Sequence, residues 1–399
     1  MSVRFIYLFL TIFSLGFSQN QFTLSGTIYE TEGQETLIGA TIIFPELNTG
    51  TTTNEYGFYS ITLEAGTYEV LISYIGFESI NQTISLNENK TLNFSLSEAA
   101  DTLEEVVLET NVERINIKTP QMSVNALTAN TIKQIPVVFG EADVIKSITL
   151  LPGVSNGGDG SGGFNVRGGS TDQNLVLLDE ATLFNTSHLF GFFSVFNPDA
   201  IKDIKLYKGG IPAKYGGRVS SVLDIYQKEG NKNEFHGNGG IGLVASRVLL
   251  EGPLKKEKGS FLLGGRSTYA HLFLPIFNIN SKAYFYDLNT KLSYRLDKNN
   301  KIYLSGYFGR DVFNVSNSFE NTYGNTVVNF RWNHLFSNQL FSNLSLIYSD
   351  YYYGLDLNFV GFEWNSGIQN MNIKYDLKHY LNDRYTLEYG LHSTYYTFN

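Results

Sequence analysis

The sequence predicts a mainly β protein: a small antiparallel sandwich, a mixed α+β middle, then long two-faced strands of the kind that line a membrane barrel. Three observations predict this. Short alternating stretches broken by turn residues fill residues 20–96. A glycine-rich middle holds short amphipathic helical stretches. From residue 234 onward, apolar and polar residues alternate over long runs. The 399 residues are 42% hydrophobic and 15% aromatic, too apolar for a disordered chain. A net charge of −9 argues against a nucleic-acid-coating protein, which would carry a basic face. With no cysteine, a disulfide framework, a thiolate metal site, a Cys nucleophile and a lipid-bearing Cys are excluded. Beyond residue 20 no apolar run approaches the ~20 residues of a transmembrane helix, so a helical inner-membrane transporter is excluded too.

Residues 1–18 read as a signal peptide. Arg4 supplies the positive start, residues 5–17 are almost unbroken apolar, and Gly16-Phe17-Ser18 ends the stretch in small-x-small form. The mature chain is expected to begin near Gln19, outside the inner membrane.

Residues 19–97 alternate as a small sandwich. Phe22, Leu24, Gly26 and Ile28 share one parity, and Tyr68, Val70, Ile72 and Tyr74 share another. Turns fall at Gly33, Asn48-Thr49-Gly50, Asn54-Glu55-Tyr56-Gly57 and Glu64-Ala65-Gly66. Gly26, Leu37-Ile38-Gly39-Ala40, Thr49-Gly50, Gly57-Phe58, Gly66-Thr67-Tyr68 and Ser73-Tyr74-Ile75-Gly76-Phe77 together resemble the carboxypeptidase regulatory-like, transthyretin-like domain. Asn54 stands where that family more often has Asp, and either side chain supports an Asx-turn. These residues read as turn and core, with nothing catalytic among them.

Residues 98–110 form an acidic linker with an apolar centre, Leu103-Glu104-Glu105-Val106-Val107-Leu108. Such a segment suits strand addition to a partner's sheet edge.

Residues 111–230 carry the most specific pattern. A helical start spans residues 128–133, and residues 141–150 form an amphipathic helix with Val144, Ile145 and Ile148 inward, stopped by Leu151-Pro152-Gly153-Val154. The tract at 157–163 contains GxGxxG, with Asp179 about twenty residues on. It follows a helix stop and runs into extended Phe164-Asn165-Val166-Arg167, the reverse of the strand–loop–helix context of a dinucleotide site. Strands are expected at residues 174–179, 201–208 and 220–226. The motifs Phe164-Asn165-Val166-Arg167-Gly168-Gly169, Asp172 through Asp179, Phe196-Asn197-Pro198-Asp199-Ala200-Ile201, Tyr207-Lys208-Gly209-Gly210 and Tyr215-Gly216-Gly217-Arg218-Val219 resemble, in order, the plug domain of TonB-dependent outer-membrane receptors. Glu180 stands where that family commonly has Gly, so a differently shaped turn is expected, because positive φ is disfavoured for Glu. The resemblance implies that Leu103, Glu104, Glu105, Val106, Val107 and Leu108 are a TonB box. It also singles out Arg167 and Arg218, which either pair with acids of the barrel wall or are an internal plug salt bridge or surface charge.

Residues 231–399 alternate in longer strands. Tyr284, Tyr286, Leu288 and Leu292 share one face against Asp287, Asn289, Lys291 and Ser293; Met371, Ile373 and Tyr375 oppose Asn370, Asn372 and Lys374. Tight turns are expected at residues 252–255, 297–300, 337–339 and 382–384, and longer loops near 271–283, 313–324 and 353–366. Apolar-out, polar-in strands with this asymmetry read as an outer-membrane barrel. About nine strands are expected where a plugged transporter has about 22, so the chain reads as a fragment or truncated gene of an incomplete barrel.

The resemblance implies an outer-membrane receptor that imports a scarce ligand, with a siderophore-type metal chelate favoured. It is driven by TonB and its inner-membrane energising complex, with the plug and N-terminal domain on the periplasmic side. Asn156, Asp159, His188 and Phe192 are the ligand-binding candidates. A non-transporting surface adhesin or sensor, binding sugar or protein through the sandwich, is the alternative. No cofactor, resident metal, nucleic-acid partner or catalytic residue is expected: the six His show no ligand spacing, and no nucleophile or paired carboxylate stands out.

Overall fold

The computed structural model describes residues 21–99, 124–135, 141–158, 162–277, 281–316, 318–383 and 385–399. The expected signal peptide, the 103–108 segment and Asp159 lie outside the described residues.

The N-terminal domain comprises β1 (Gln21–Glu30), β2 (Thr41–Phe44), β3 (Thr49–Thr52), β4 (Phe58–Glu64), β5 (Gly66–Ser73), β6 (Ile80–Leu86), β7 (Lys90–Thr91) and β8 (Phe94–Leu96). One sheet runs β4-β1-β7 with β8 also on β1; the other runs β3-β2-β5-β6. Leu24, Ile28, Ile42, Tyr59, Ile61, Ile72, Leu86 and Leu96 fill the space between them. The Asx-turn forms as expected: buried Asn54 accepts from the amides of Tyr56 at 2.9 Å and Phe58 at 3.0 Å, and Gly57 takes the left-handed φ of +77° that closes it. That turn presents Tyr56 outward from the sandwich.

The middle domain starts with β9 (Val124–Thr128), α1 (Ala129–Gln134) and α2 (Val144–Thr149). Asp143 caps α2 by accepting from the Lys146 amide at 3.0 Å, and Val144, Ile145 and Ile148 are buried. Next come β10 (Val154–Asn156), β11 (Phe164–Val166), β12 (Asn174–Leu178), β13 (Ala181–Thr182), β14 (Ser187–His188), β15 (Phe193–Ser194), β16 (Ile201–Tyr207) and β17 (Ser221–Gln227). Five of them make the sheet β13-β12-β17-β16-β9, in which β12 and β17 are parallel.

Nine antiparallel strands in sequence order form the last sheet: β18 (His236–Ile241), β19 (Ala245–Lys255), β20 (Gly259–Thr268), β21 (Ser281–Arg295), β22 (Asn300–Val315), β23 (Phe319–Ser337), β24 (Leu340–Leu357), β25 (Phe362–Tyr380) and β26 (Thr386–Phe398). Its two faces invert the ordinary soluble pattern. Leu288, Leu292, Leu304, Phe330, Leu346 and Ile373 are exposed, while Asp287, Asn289, Lys291, Asn329, Ser345 and Lys374 are buried against the middle domain. An apolar outside and a polar inside are what a lipid-facing wall requires. No helix among the described residues is long and apolar enough to cross a membrane.

Two local expectations are corrected. Residues 252–255 are not a turn but the end of β19, with the reversal at 256–258. Pro253 is tolerated because it lies beyond the last β18 pairing, His236↔Glu251, and beside a register shift. The loops expected near 313–324 and 353–366 shrink to 316–318 and 358–361. Their Phe, Tyr and Val residues continue the strands, giving β22 to β25 lengths of 16, 19, 18 and 19 residues.

Candidate functional site

The chemistry of this chain concentrates on the seam between the middle domain and the inner face of the sheet, in three tiers.

The first tier lies near the 316–318 end. The β14–β15 hairpin carries His188 into the wall, 1% exposed. Its Nδ1 is 2.6 Å from the Asp311 carboxylate of β22, and its Nε2 is 3.2 Å from that of Asp287 on β21. Its ring stacks on Phe285 at 4.1 Å. Arg266 of β20 donates to Asp287 at 2.6 Å and to the Ser194 carbonyl at 2.7 Å, and lies 3.4 Å from Glu141. Arg247 and Lys133 each reach Asp199 at 2.7 Å. Four carboxylates (Glu141, Asp199, Asp287, Asp311) thus face three permanent cations (Lys133, Arg247, Arg266), and a charged His188 balances them. Burial opposes that charge, but Asp311 and Asp287 outweigh it and raise the imidazole above its usual value.

The second tier is the turn between β12 and β13. Asp179 and Glu180 have φ of +47° and +72°, the left-handed pair that a two-residue hairpin turn uses and that favours glycine. Glu180 therefore keeps the backbone expected of Gly rather than reshaping the turn. Its carboxylate explains how: it accepts from Tyr56 Oη at 2.8 Å, Asn343 Nδ2 at 3.2 Å and the Ser345 hydroxyl, with Lys374 Nζ at 3.5 Å. Asp179 pairs with Lys291 Nζ at 3.0 Å and accepts from the Gln227 amide at 3.1 Å. These charge-assisted bonds offset a left-handed backbone costing ~1–2 kcal/mol per residue.

The third tier brings in the N-terminal domain. Glu229, just past β17, accepts from Lys301 and Lys232 at 2.8 Å each, Tyr303 Oη at 3.1 Å and Thr36 Oγ1 at 3.0 Å. Burial alone would raise its carboxyl, but Lys232, Lys301 and Lys202 hold it well below the usual range. Glu55 pairs with Lys214, and Tyr74 donates to Asp203 at 3.0 Å. Arg331 of β23 lies between the rings of Tyr303, 4.2 Å away, and Tyr56, 4.8 Å away. Phe341 stacks on Tyr56 at 5.1 Å and on Phe58 at 5.8 Å. Between the tiers the wall is largely neutral amide and hydroxyl: Asn289, Asn325, Asn329, Asn333, Asn343 and Ser345 are all buried.

The residues singled out from sequence fall in different places. Asp179 and His188 lie on the seam. His188 is closed in by wall aspartates rather than open to a ligand. Arg218 is exposed and donates to the Gly217 carbonyl at 2.8 Å, and Arg167 is exposed with φ +49°. The buried seam ion pairs at Asp179, Glu180 and Glu229 run from acids of the middle domain to lysines of the wall, opposite in sign to wall-pairing arginines. Asn165 accepts from Thr171 Oγ1 at 2.9 Å, Gly168 has φ +82°, and the Gly169 amide donates to the Val166 carbonyl at 2.9 Å, so this motif shapes a turn. Gly210 and Gly217 have φ of +59° and +82°, and Tyr215 donates to Asp224 at 2.6 Å; Gly209 and Gly216 flank those turns. Asn156 and Phe192 are exposed near the first tier. Tyr56, Glu229 and Arg331 were not foreseen; Tyr56 sat in a turn that reads as purely structural.

Two family models match, the CarboxypepD_reg-like domain over residues 24–108 and the TonB-dependent receptor plug domain over residues 116–221. Similar solved structures include the siderophore receptor PirA from Acinetobacter baumannii, at 17% identity and TM-score 0.54, covering 70% of this chain and 48% of that one. A ferric enterobactin receptor, PfeA from Pseudomonas aeruginosa, gives 18%, 0.54, 69% and 49%, and the copper transporter OprC gives 10%, 0.52, 69% and 46%. The likeness is one of fold, and the chain spans about half the length of these structures. A search of the curated proteins gives no match. The chain thus joins a CarboxypepD_reg-like domain to a TonB-dependent receptor plug domain seated on antiparallel wall strands, which is the domain make-up and fold of a TonB-dependent receptor.

Proposed function

We propose that the protein is an outer-membrane receptor that imports a scarce ligand, with the plug as its gate and TonB supplying the work. The observation that carries this reading is the nature of the seam. At all three tiers plug and wall are joined by hydrogen bonds and ion pairs, contacts that can be exchanged for water and re-form, beside apolar contacts of Tyr307, Val327 and Ile347 with the plug core. In this reading the 103–108 segment pairs with TonB by strand addition, and the chain carries no catalytic step of its own. Asn156 and Phe192, exposed at the end remote from the N-terminal domain, are first contacts for the ligand. A ferric siderophore is the favoured class.

The test uses the full-length protein in cells, with radio-iron loaded on enterobactin as the probe. Deleting residues 103–108 is expected to abolish energy-dependent accumulation while surface binding persists. Undiminished accumulation refutes the box. Binding without energy-dependent accumulation in the wild type favours a non-transporting receptor.

A further inference from the structure

We propose that the N-terminal domain is a clamp on the plug: docked, it holds the plug acids in their wall sockets, and it has to lift before the plug moves. The second half rests on the transport reading; the docking and its effect on plug seating do not.

The argument begins with two carboxylates. Glu180 of the plug is shared between Tyr56 of the N-terminal domain and Asn343, Ser345 and Lys374 of the wall. Glu229, at the joint between plug and wall, is shared between Thr36 of the same domain and Lys301 and Tyr303 of the wall. Each bond made by the N-terminal domain therefore exists only while the acid is seated, and each seated acid loses a donor when the domain lifts. Coupling of this kind is reciprocal.

The domain also grips both sides of the seam. On the plug side Glu55 meets Lys214 and Tyr74 meets Asp203. On the wall side Phe58 packs on Phe341 and Tyr380, and Gln339 donates to Thr62 at 2.9 Å. A body bonded across a seam resists sliding along it. Arg331 adds a penalty for lifting. It is 4% exposed, its Nε and Nη1 have no hydrogen-bond partner, and Tyr56 covers one face of its guanidinium. Removing that ring leaves a buried cation with less compensation. A domain serving as a passive spacer would need none of these contacts.

The 399 residues contain no cysteine, so thiols introduced within them carry no background from this part of the chain. The Lys232 amide donates to the Gly33 carbonyl at 3.2 Å, and a Cβ at Gly33 would lie 3.8 Å from Asn231 Nδ2. Gly33→Cys with Asn231→Cys therefore places two cysteines at adjoining positions across this contact, the flexible Glu30 carboxylate beside the new Cβ moving aside, and a gel-mobility shift on oxidation verifies that the bond forms. Oxidised in outer membranes, this pair is expected to bind ferric enterobactin as before but to accumulate it roughly tenfold more slowly, with recovery on reduction. Equal accumulation in both states overturns the clamp. A second arm needs no ligand. In a Ser187→Cys background, where residue 187 is buried in the plug, Tyr56→Ala with Thr36→Val is expected to raise labelling by an impermeant maleimide roughly tenfold. Unchanged labelling also overturns the clamp. If wild type accumulates no iron from the probe, the ligand class fails, and the labelling arm still decides the clamp.

Discussion

Glu180 and His188 hold the plug by opposite charge logic, and pH separates them. Burial pushes the Glu180 carboxyl up, but Lys374, Arg331 and bonds from Ser345 and Tyr56 prevail and lower it to about 2. Its folded value lies below the ordinary 4.5, so its stabilisation is complete above about 4.5 and fades as pH falls towards 2, about 3 kcal/mol in all. Glu180→Gln is expected to weaken plug seating by about 2–4 kcal/mol and to flatten this acid limb; denaturant titrations through that interval check it, and an unchanged acid slope refutes it. His188 works the other way. Its value is raised above 6.5, so its contribution is intact below 6.5 and is lost as pH climbs through the raised value. His188→Gln should remove the alkaline loss of amide protection in residues 187–194, which hydrogen exchange reads directly. Sequence showed the charge on Arg167 and Arg218 but not the direction of their side chains; the wall sockets instead receive the acids Asp179, Glu180 and Glu229 on lysines and His188 on aspartates. The bases of those sockets were legible, because the alternation already placed Lys291 and Lys374 on the inward face.

At the scale of elements, alternation was the strongest signal, because a period of two leaves no freedom over which face a residue takes. It marked the long wall strands from β21 onward and assigned Leu288 outward and Asp287 inward. Strand ends were less legible. Pro253 reads as a turn residue, and only the end of β18 pairing at Glu251 shows why a strand accommodates it. The Asn165–Gly169 motif was visible as pattern, whereas its work as a turn needed coordinates. The outward face gives a direct prediction. Leu288→Lys is expected to destabilise the protein folded in lipid vesicles by about 2–4 kcal/mol if it sits near the bilayer midplane. An inward neutral exchange such as Asn289→Ser is expected to cost under about 1.5 kcal/mol. Equal losses in folding titrations would contradict the assignment of faces.

For the whole molecule, the order of the bodies was readable from composition, but their docking was not. The bonds joining the N-terminal domain to plug and wall link residues more than a hundred positions apart, such as Thr62 with Gln339, and no local pattern encodes such pairings. Phe341 is central to that docking. Phe341→Ala is expected to cost about 2–4 kcal/mol through the cavity it leaves and to speed amide exchange in residues 56–62 of the N-terminal domain; protection like that of wild type would remove Phe341 from the docking surface. The asparagine-rich inner wall has a mechanical consequence of its own. In the transport reading, amides repeated along neighbouring strands, such as Asn325 with Asn185 and Asn329 with Asp179, let an advancing plug trade one bond for another of the same kind. Against that level track the ion pairs at Asp179, Glu180, His188 and Glu229 stand out as detents. In that same reading they set where the plug comes to rest, and the force that moves it is the force needed to leave them.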